Sequence, residues 1–199
     1  MKKILNIISS PRGKNSFSIK LADSIIEKLI AANPGSTVHT RNLAVNPFPH
    51  LEEVHITSFY TPEEQRTEAN KAAISHSDNA IKEIQDADIL VIGVSLYNFG
   101  VPSTLKAWID HIVRAGVTFS YSDKGPQGLI KNKKAYIAIA TGGIYSEGDL
   151  KSIDFVEPYL RTVLGFLGIT DVTFYRVEGL SLPVVKETAL EKAVESISL

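Results

Sequence analysis

The sequence predicts an α/β fold: one doubly wound sheet of five parallel strands in the order 2-1-3-4-5, with residues 1–199 as a single domain. Three observations predict it. Short runs of Ile, Val and Leu recur along the chain, as strands covered on both faces require. Amphipathic helical stripes lie between them, so strand and helix alternate repeatedly. A chain of 199 residues also suits five such units better than the longer six-stranded dinucleotide fold.

Taken in order, the first strand is read at 3–8, a nearly continuous apolar run. The helix after it places Ile19, Ala22, Ile26 and Leu29 at helical spacing, with Asp23, Glu27 and Lys28 elsewhere. A weaker, alternating strand at 37–43 sets Val38 and Thr40 against His39 and Arg41. Residues 44–61, with Pro47, Pro49, His50, His55, Phe59 and Tyr60, read as an irregular stretch. A loop that long inside a domain is more often a lid or an interface than a linker. Ile74, Ile81 and Ile84 mark the second helix, and 88–94 the third strand. Leu105, Trp108, Ile109 and Ile112 form the next stripe. A second insertion at 118–132 carries the turn signals Gly125-Pro126 and Gly128. The fourth strand is 135–140. Ile153, Val156, Leu160, Val163 and Leu167 follow it, then a strand at 172–177 and a last helix through Leu190, Val194 and Ile197.

Composition narrows the function classes. With 21 basic against 22 acidic residues, the chain has no electrostatic reason to bind nucleic acid. The absence of cysteine excludes disulfides, thiolate catalysis, Cys-ligated zinc and iron–sulfur clusters, and fits a reducing compartment. The apolar run after Met1-Lys2-Lys3 is too short for a secretion leader, and no run approaches bilayer length. These features predict a cytoplasmic protein without membrane association. His50 and His55 make a poor metal pair, so no metal is expected, and His111 reads as a helix-face histidine rather than a proton donor.

Ligands of such sheets bind beyond the carboxyl ends of the strands where the strand order reverses. That places the loops after strands 1, 3 and 4 together. The first, Ser9-Ser10-Pro11-Arg12-Gly13-Lys14-Asn15-Ser16-Phe17-Ser18, brings hydroxyls to a helix N-terminus, which suits a terminal phosphate. Capping of the helix by Ser16 is the plain alternative. Ile8 stands where a P-loop needs glycine, and G-x-G-x-x-G is absent. The second loop, Ser95-Leu96-Tyr97-Asn98-Phe99-Gly100-Val101-Pro102-Ser103, sets aromatics around Asn and Gly, a composition able to clasp a flat conjugated ring. Gly93-Val94-Ser95 begins a nucleophile elbow, but Tyr97 breaks its last position. The third, Thr141-Gly142-Gly143-Ile144-Tyr145, offers two glycines that let backbone approach a ligand or make an ordinary turn. Together the loops point to a flat, phosphorylated cofactor.

These segments resemble the FMN-dependent NADH azoreductases, flavodoxin-like enzymes that also reduce quinones. The resemblance runs along nearly the whole chain. It is strongest in Tyr97-Asn98-Phe99, Leu105-Lys106, Arg114-Ala115-Gly116-Val117-Thr118-Phe119, Gly125-Pro126, Gly142-Gly143-Ile144, Pro158-Tyr159-Leu160 and the stretch 164–172. It implies that Ser10, Ser16, Phe17 and Ser18 hold the FMN phosphate. It also implies that Leu96, Tyr97, Asn98 and Phe99 lie against the isoalloxazine ring, and that Thr141, Gly142 and Gly143 face its pyrimidine edge. The family forms homodimers with sites at the interface, which puts Phe119 and the 159–166 helix with a neighbouring subunit. Phe119, Tyr121, Tyr145 and Phe166 are the expected acceptor pocket. Two departures stand out. Thr141 replaces an Arg frequent in the family, removing a charge, and Pro11-Arg12-Gly13-Lys14 differs from common members.

The expected activity is ping-pong hydride transfer from NADH or NADPH, through FMN, to a quinone or azo compound. The cofactor carries the chemistry, so no catalytic side chain is expected. The rival enzyme reading is an acyl-carrier-protein phosphodiesterase-type hydrolase using Ser9, Ser10 or Ser95, for which no base stands at motif spacing. A flavodoxin-like electron carrier is disfavoured by near-neutral charge. A phospho-receiver domain would need Asp where Gly93-Val94-Ser95 stands.

Overall fold

Five parallel strands pair in the order β2 (Thr37–Asn42), β1 (Lys3–Ile8), β3 (Ile89–Ser95), β6 (Lys134–Ala140), β7 (Asp171–Val177). The structure, a computed structural model, describes residues 1–199. The strand order is the one read from the sequence. In-register parallel pairing sets Ile8 beside Gly93 and Ser95 beside Ala140, so the carboxyl ends of β1, β3 and β6 finish together.

Each central strand is buried on both faces, which is why its sequence is continuously apolar rather than alternating. Below one face α1 (Phe17–Ala32) and α6 (Pro183–Glu195) bury Leu21, Ile25, Leu29 and Ala189 against Ile4, Val91 and Ala138. Above the other, α3 (Glu68–Asp86), α4 (Ser103–Ile112) and α5 (Val156–Leu167) pack Ile81, Trp108 and Leu164 onto Leu5, Leu90 and Ile137.

Two stretches read as irregular are ordered. Within 44–61 a short helix, α2 (Glu53–Tyr60), is held at its start by a capping box: the Glu52 side chain accepts from the His55 backbone N–H, and Glu52 N donates to His55 Nδ1 at 3.0 Å. Within 118–132, β4 (Phe119–Ser122) and β5 (Gly125–Gly128) form an antiparallel hairpin. The root of that hairpin lies directly on the end of α5. A Cβ on Gly128 would fall 2.2 Å from both Gly168 N and Leu167 C, and Ile130 N donates to Leu167 O at 2.9 Å. Gly168 closes α5 at a φ of 100°, where only glycine is unstrained.

β2 is an edge strand with no buried residue. Its Arg41 and His39 both reach Glu83 on α3, which keeps the exposed edge charged and tied down.

Candidate active site

The first loop collects four buried hydroxyls: Ser9, Ser10, Ser16 and Ser18. Ser9 Oγ donates to Gly93 O at 2.7 Å, fastening β1 to β3. Ser10 Oγ accepts from Arg12 N at 3.4 Å. Ser16 occupies the N-cap position of α1 but does not cap it, since its hydroxyl meets Ser18 Oγ at 3.0 Å instead. Ser18 in turn meets Ser95 Oγ at 3.2 Å. A chain of hydroxyls thus runs from the start of α1 to the end of β3. The first-turn N–H groups of α1 keep no side-chain acceptor, a donor set suited to a phosphate. Phe17 is half-buried beside them, with Lys20 Nζ 5.1 Å from its ring centroid.

The second loop is a tight turn in which Tyr97 N donates to Gly100 O at 3.1 Å and Gly100 N to Tyr97 O at 3.0 Å. Its central residues, Asn98 and Phe99, have φ of 48° and 70°. Two left-handed residues in succession make a type I′ geometry, tolerable for Asn and costly for Phe. Leu96 N is tied to Ala140 O at 3.0 Å, and Phe99 O accepts from Phe155 N at 3.3 Å. Held at both flanks, the turn leaves Tyr97, Asn98 and Phe99 exposed.

The third loop faces inward. Thr141 is buried and its Oγ1 donates to Gly143 O at 2.7 Å. The carbonyls of Thr141, Gly142 and Gly143 accept from Leu180, Ser181 and Gly179 N at 3.2, 2.9 and 3.0 Å. A Cβ on Gly142 would lie 2.7 Å from Ser181 Oγ, and one on Gly143 would lie 3.0 Å from Leu150 Cδ1. Contact with Ser181 gives Gly142 a local packing reason beside the expected approach to a ligand.

A cleft of about 760 Å³ opens between the first two loops, lined among others by Ser9, Pro11, Tyr97, Asn98, Lys106 and Tyr159. That volume lies within the range of ligand sites. Lys106 Nζ is held by Asp110 at 2.6 and 2.8 Å. Burial, then the nearby Asp110 carboxylate, push the Tyr159 hydroxyl up to about 12, so it stays a donor across the physiological range. Lys106, Tyr159 and Phe155 were not among the residues picked from the sequence for this cleft; the i,i+4 pair Lys106–Asp110 on the polar side of α4 was the available signal.

Of the four residues expected to form an acceptor pocket, Phe119, Tyr121 and Phe166 come together within one chain and Tyr145 does not. Phe119 is buried, 4.5 Å from Phe166 and 5.5 Å from Tyr121 between ring centroids, and Tyr121 is 73% exposed on the hairpin. Tyr145 lies apart in a hollow of about 500 Å³ with Arg161 and Arg176. No histidine hydrogen-bonds Ser9, Ser10 or Ser95. His55 sits in α2 and not on a loop, and His111 is fully buried with Nε2 at 3.0 Å from Pro49 O.

Residues 2–198 match a family model described as flavodoxin-like fold. Over 182 residues the chain is 49% identical to an FMN-dependent NADH:quinone oxidoreductase of Herminiimonas arsenicoxydans, covering 92% of this chain and 89% of that one. Its structure is similar to that of an azoreductase from Bacillus anthracis str. Sterne, with a TM-score of 0.87, 28% identity and 98% of both chains covered. It is also similar to an FMN-dependent NADH-azoreductase from Bacillus anthracis str. Ames Ancestor in complex with FMN, with a TM-score of 0.86, 26% identity and coverage of 98% and 97%.

Proposed function

Because the chain belongs to the flavodoxin-like fold family, we propose that it is an FMN-dependent oxidoreductase moving hydride from NADH or NADPH to a quinone or azo compound in ping-pong order. The observation that carries this reading is the meeting, at the ends of β1 and β3, of an uncapped, hydroxyl-lined helix start, joined to Ser95 through Ser18, with a strained aromatic turn whose Tyr97 and Asn98 line the cleft beside Ser9 and Pro11. The names of the relatives, including one solved with FMN, support it.

FMN, when bound, supplies the two-electron chemistry. The chain's own residues bind and orient. Ser10, Ser16, Phe17 and Ser18 take the phosphate at the α1 N-terminus, where hydroxyls and free N–H groups outmatch any lone lysine in direction and number. Leu96, Tyr97, Asn98 and Phe99 support the ring, offering backbone groups that the turn forces outward. Thr141, Gly142 and Gly143 stand at its pyrimidine edge, without the cation that an Arg at 141 would bring. The hydroxyl of Tyr159, kept protonated, is available to donate toward an acceptor in the cleft. Phe119, Tyr121, Tyr145 and Phe166 complete the acceptor pocket between two subunits of a homodimer, for which the 73% exposure of Tyr121 is the support. We place the activity in the cytoplasm, in keeping with the lack of cysteine.

The test is direct. Purified protein should be yellow and carry equimolar FMN. Anaerobic NADH should bleach it, and a quinone should restore the colour. Colourless protein that takes up no FMN overturns the reading. Protein that binds FMN but is reduced only through a partner reductase is a carrier rather than this enzyme.

A further inference from the structure

Resting on the FMN reading above, we propose that Arg176 is a positioning residue that sets the separation between the 97–100 turn and the 141–146 loop. Arg176 lies on β7, does not line the cleft, and its side chain is 13% exposed. Its guanidinium donates to Asp154 Oδ2 at 2.5 Å, Glu157 Oε2 at 2.7 Å and Glu178 Oε1 at 3.4 Å. One fork therefore gathers three carboxylates from the start of α5 and from the segment after β7.

Each carboxylate leads to a loop. Glu178 Oε1 accepts from Tyr145 N at 2.8 Å and Ser146 N at 3.0 Å, anchoring the far end of the third loop. The three residues after Glu178, 179–181, donate to the carbonyls of Gly143, Thr141 and Gly142 and so anchor its near end. Asp154 Oδ1 accepts from Val156 N at 2.8 Å and Glu157 N at 3.3 Å, fixing the first turn of α5. Between them Phe155 N donates to Phe99 O, inside the strained turn. Arg176 thus holds the 97–100 turn on one arm and the 141–146 loop on the other. Without its charge, Asp154 and Glu178, both largely buried, repel each other, and the two loops have no common anchor.

The experiment compares wild type with R176Q, R176K and E178A. E178A cuts only the arm to the 141–146 loop. Three readouts are taken: amide exchange of the FMN-free protein, FMN dissociation by fluorescence quenching, and visible circular dichroism of the bound flavin. R176Q should speed exchange at Tyr145, Ser146 and Phe155 without speeding it in the central strands, weaken FMN by about tenfold and change the flavin dichroism. R176K should recover part of the affinity, because a charge returns without the fork. E178A should speed exchange at Tyr145 and Ser146 but leave Phe155 protected. Wild-type exchange at those amides, or wild-type affinity and dichroism, in a folded R176Q overturns the proposal. Should R176Q fail to fold, wild-type exchange at Tyr145, Ser146 and Phe155 together with wild-type flavin dichroism in R176K does so. Failure of wild type to take up FMN overturns the functional reading and the ring-positioning role together. Uptake by wild type with unaltered variants overturns the positioning alone.

Discussion

Phe99, at a φ of 70°, pays a conformational cost that Asn98 beside it largely escapes. Strain of this kind persists only where the surroundings enforce it, here the bonds from Phe155 N and between Tyr97 and Gly100. F99G should therefore be more stable than F99A by about 1 kcal/mol in urea denaturation of the FMN-free protein, since both lose the ring and only one keeps the strain. Gly142 makes a second test. G142A should lose about 1–3 kcal/mol, because its new methyl meets Ser181 Oγ, and S181A placed in the same chain should recover most of it. The sequence marked 97–99 for its aromatics and 142–143 for its glycines. It held no sign of positive φ at Phe99, because phenylalanine disfavours it, nor of Ser181 beside Gly142, because that contact joins positions far apart in the chain. The Arg176 cluster was invisible for the same reason. A titration belongs here too. Burial opposes the charge of Glu157, but hydrogen bonds from Arg176 and Arg161 outweigh it and hold the carboxyl below its ordinary value. Its contribution to stability is thus complete above about pH 4.5 and is lost as pH falls through the lowered value. Thermal midpoints measured on acidification should show that loss, and should show less of it in E157Q.

Among the elements, helices with a wide apolar stripe were legible and α2 was not. Glu53–Tyr60 carries Val, Ile, Thr and Ser with no clear stripe, and most of it is exposed. What makes it a helix is the Glu52–His55 box and its seat against α3, where Asn70 Nδ2 donates to Ser58 Oγ at 2.9 Å. The 44–61 segment also closes over His111 of α4. Phe48, His55 and Phe59 place their rings 5.5, 5.2 and 6.1 Å from the imidazole. With Nε2 donating to Pro49 O, Nδ1 faces this cage without a partner. Burial, reinforced by His55 and His76 and opposed by the Pro49 bond and Asp110, holds the His111 pKa below 6.5. A histidine kept neutral in the fold adds stability that is complete above the unfolded value and fades as pH falls through the folded one. Chemical denaturation between pH 7 and pH 5 should accordingly show a falling stability, and H111N should flatten the fall.

For the molecule as a whole, the strand order could be read because burial on both faces leaves a long apolar run in each central strand, and because the general preference for right-handed crossovers leaves few alternatives for four connections. The sheet divides the interior into two cores that share no side chain. Leu90 lies fully buried in one and Leu21 in the other. L90A and L21A should each cost about 2–5 kcal/mol, and their effects should add to within about 0.5 kcal/mol in the double variant. A shortfall in that sum would mean that the sheet transmits strain from one core to the other.

The contact between Gly128 and Gly168 reaches further than local packing. No side chain fits at either position while the other segment stays in place, so the root of the hairpin and the close of α5 are inherited as one unit. The tip, by contrast, is exposed at all of residues 122–124, and its side-chain hydrogen bonds, from Ser122 Oγ to Gly125 O and from Lys124 N to Ser122 Oγ, stay within the turn. Divergence among relatives in this arm should thus collect at its tip. Descendants of this chain can change what the arm presents to its surroundings, but they cannot re-aim it.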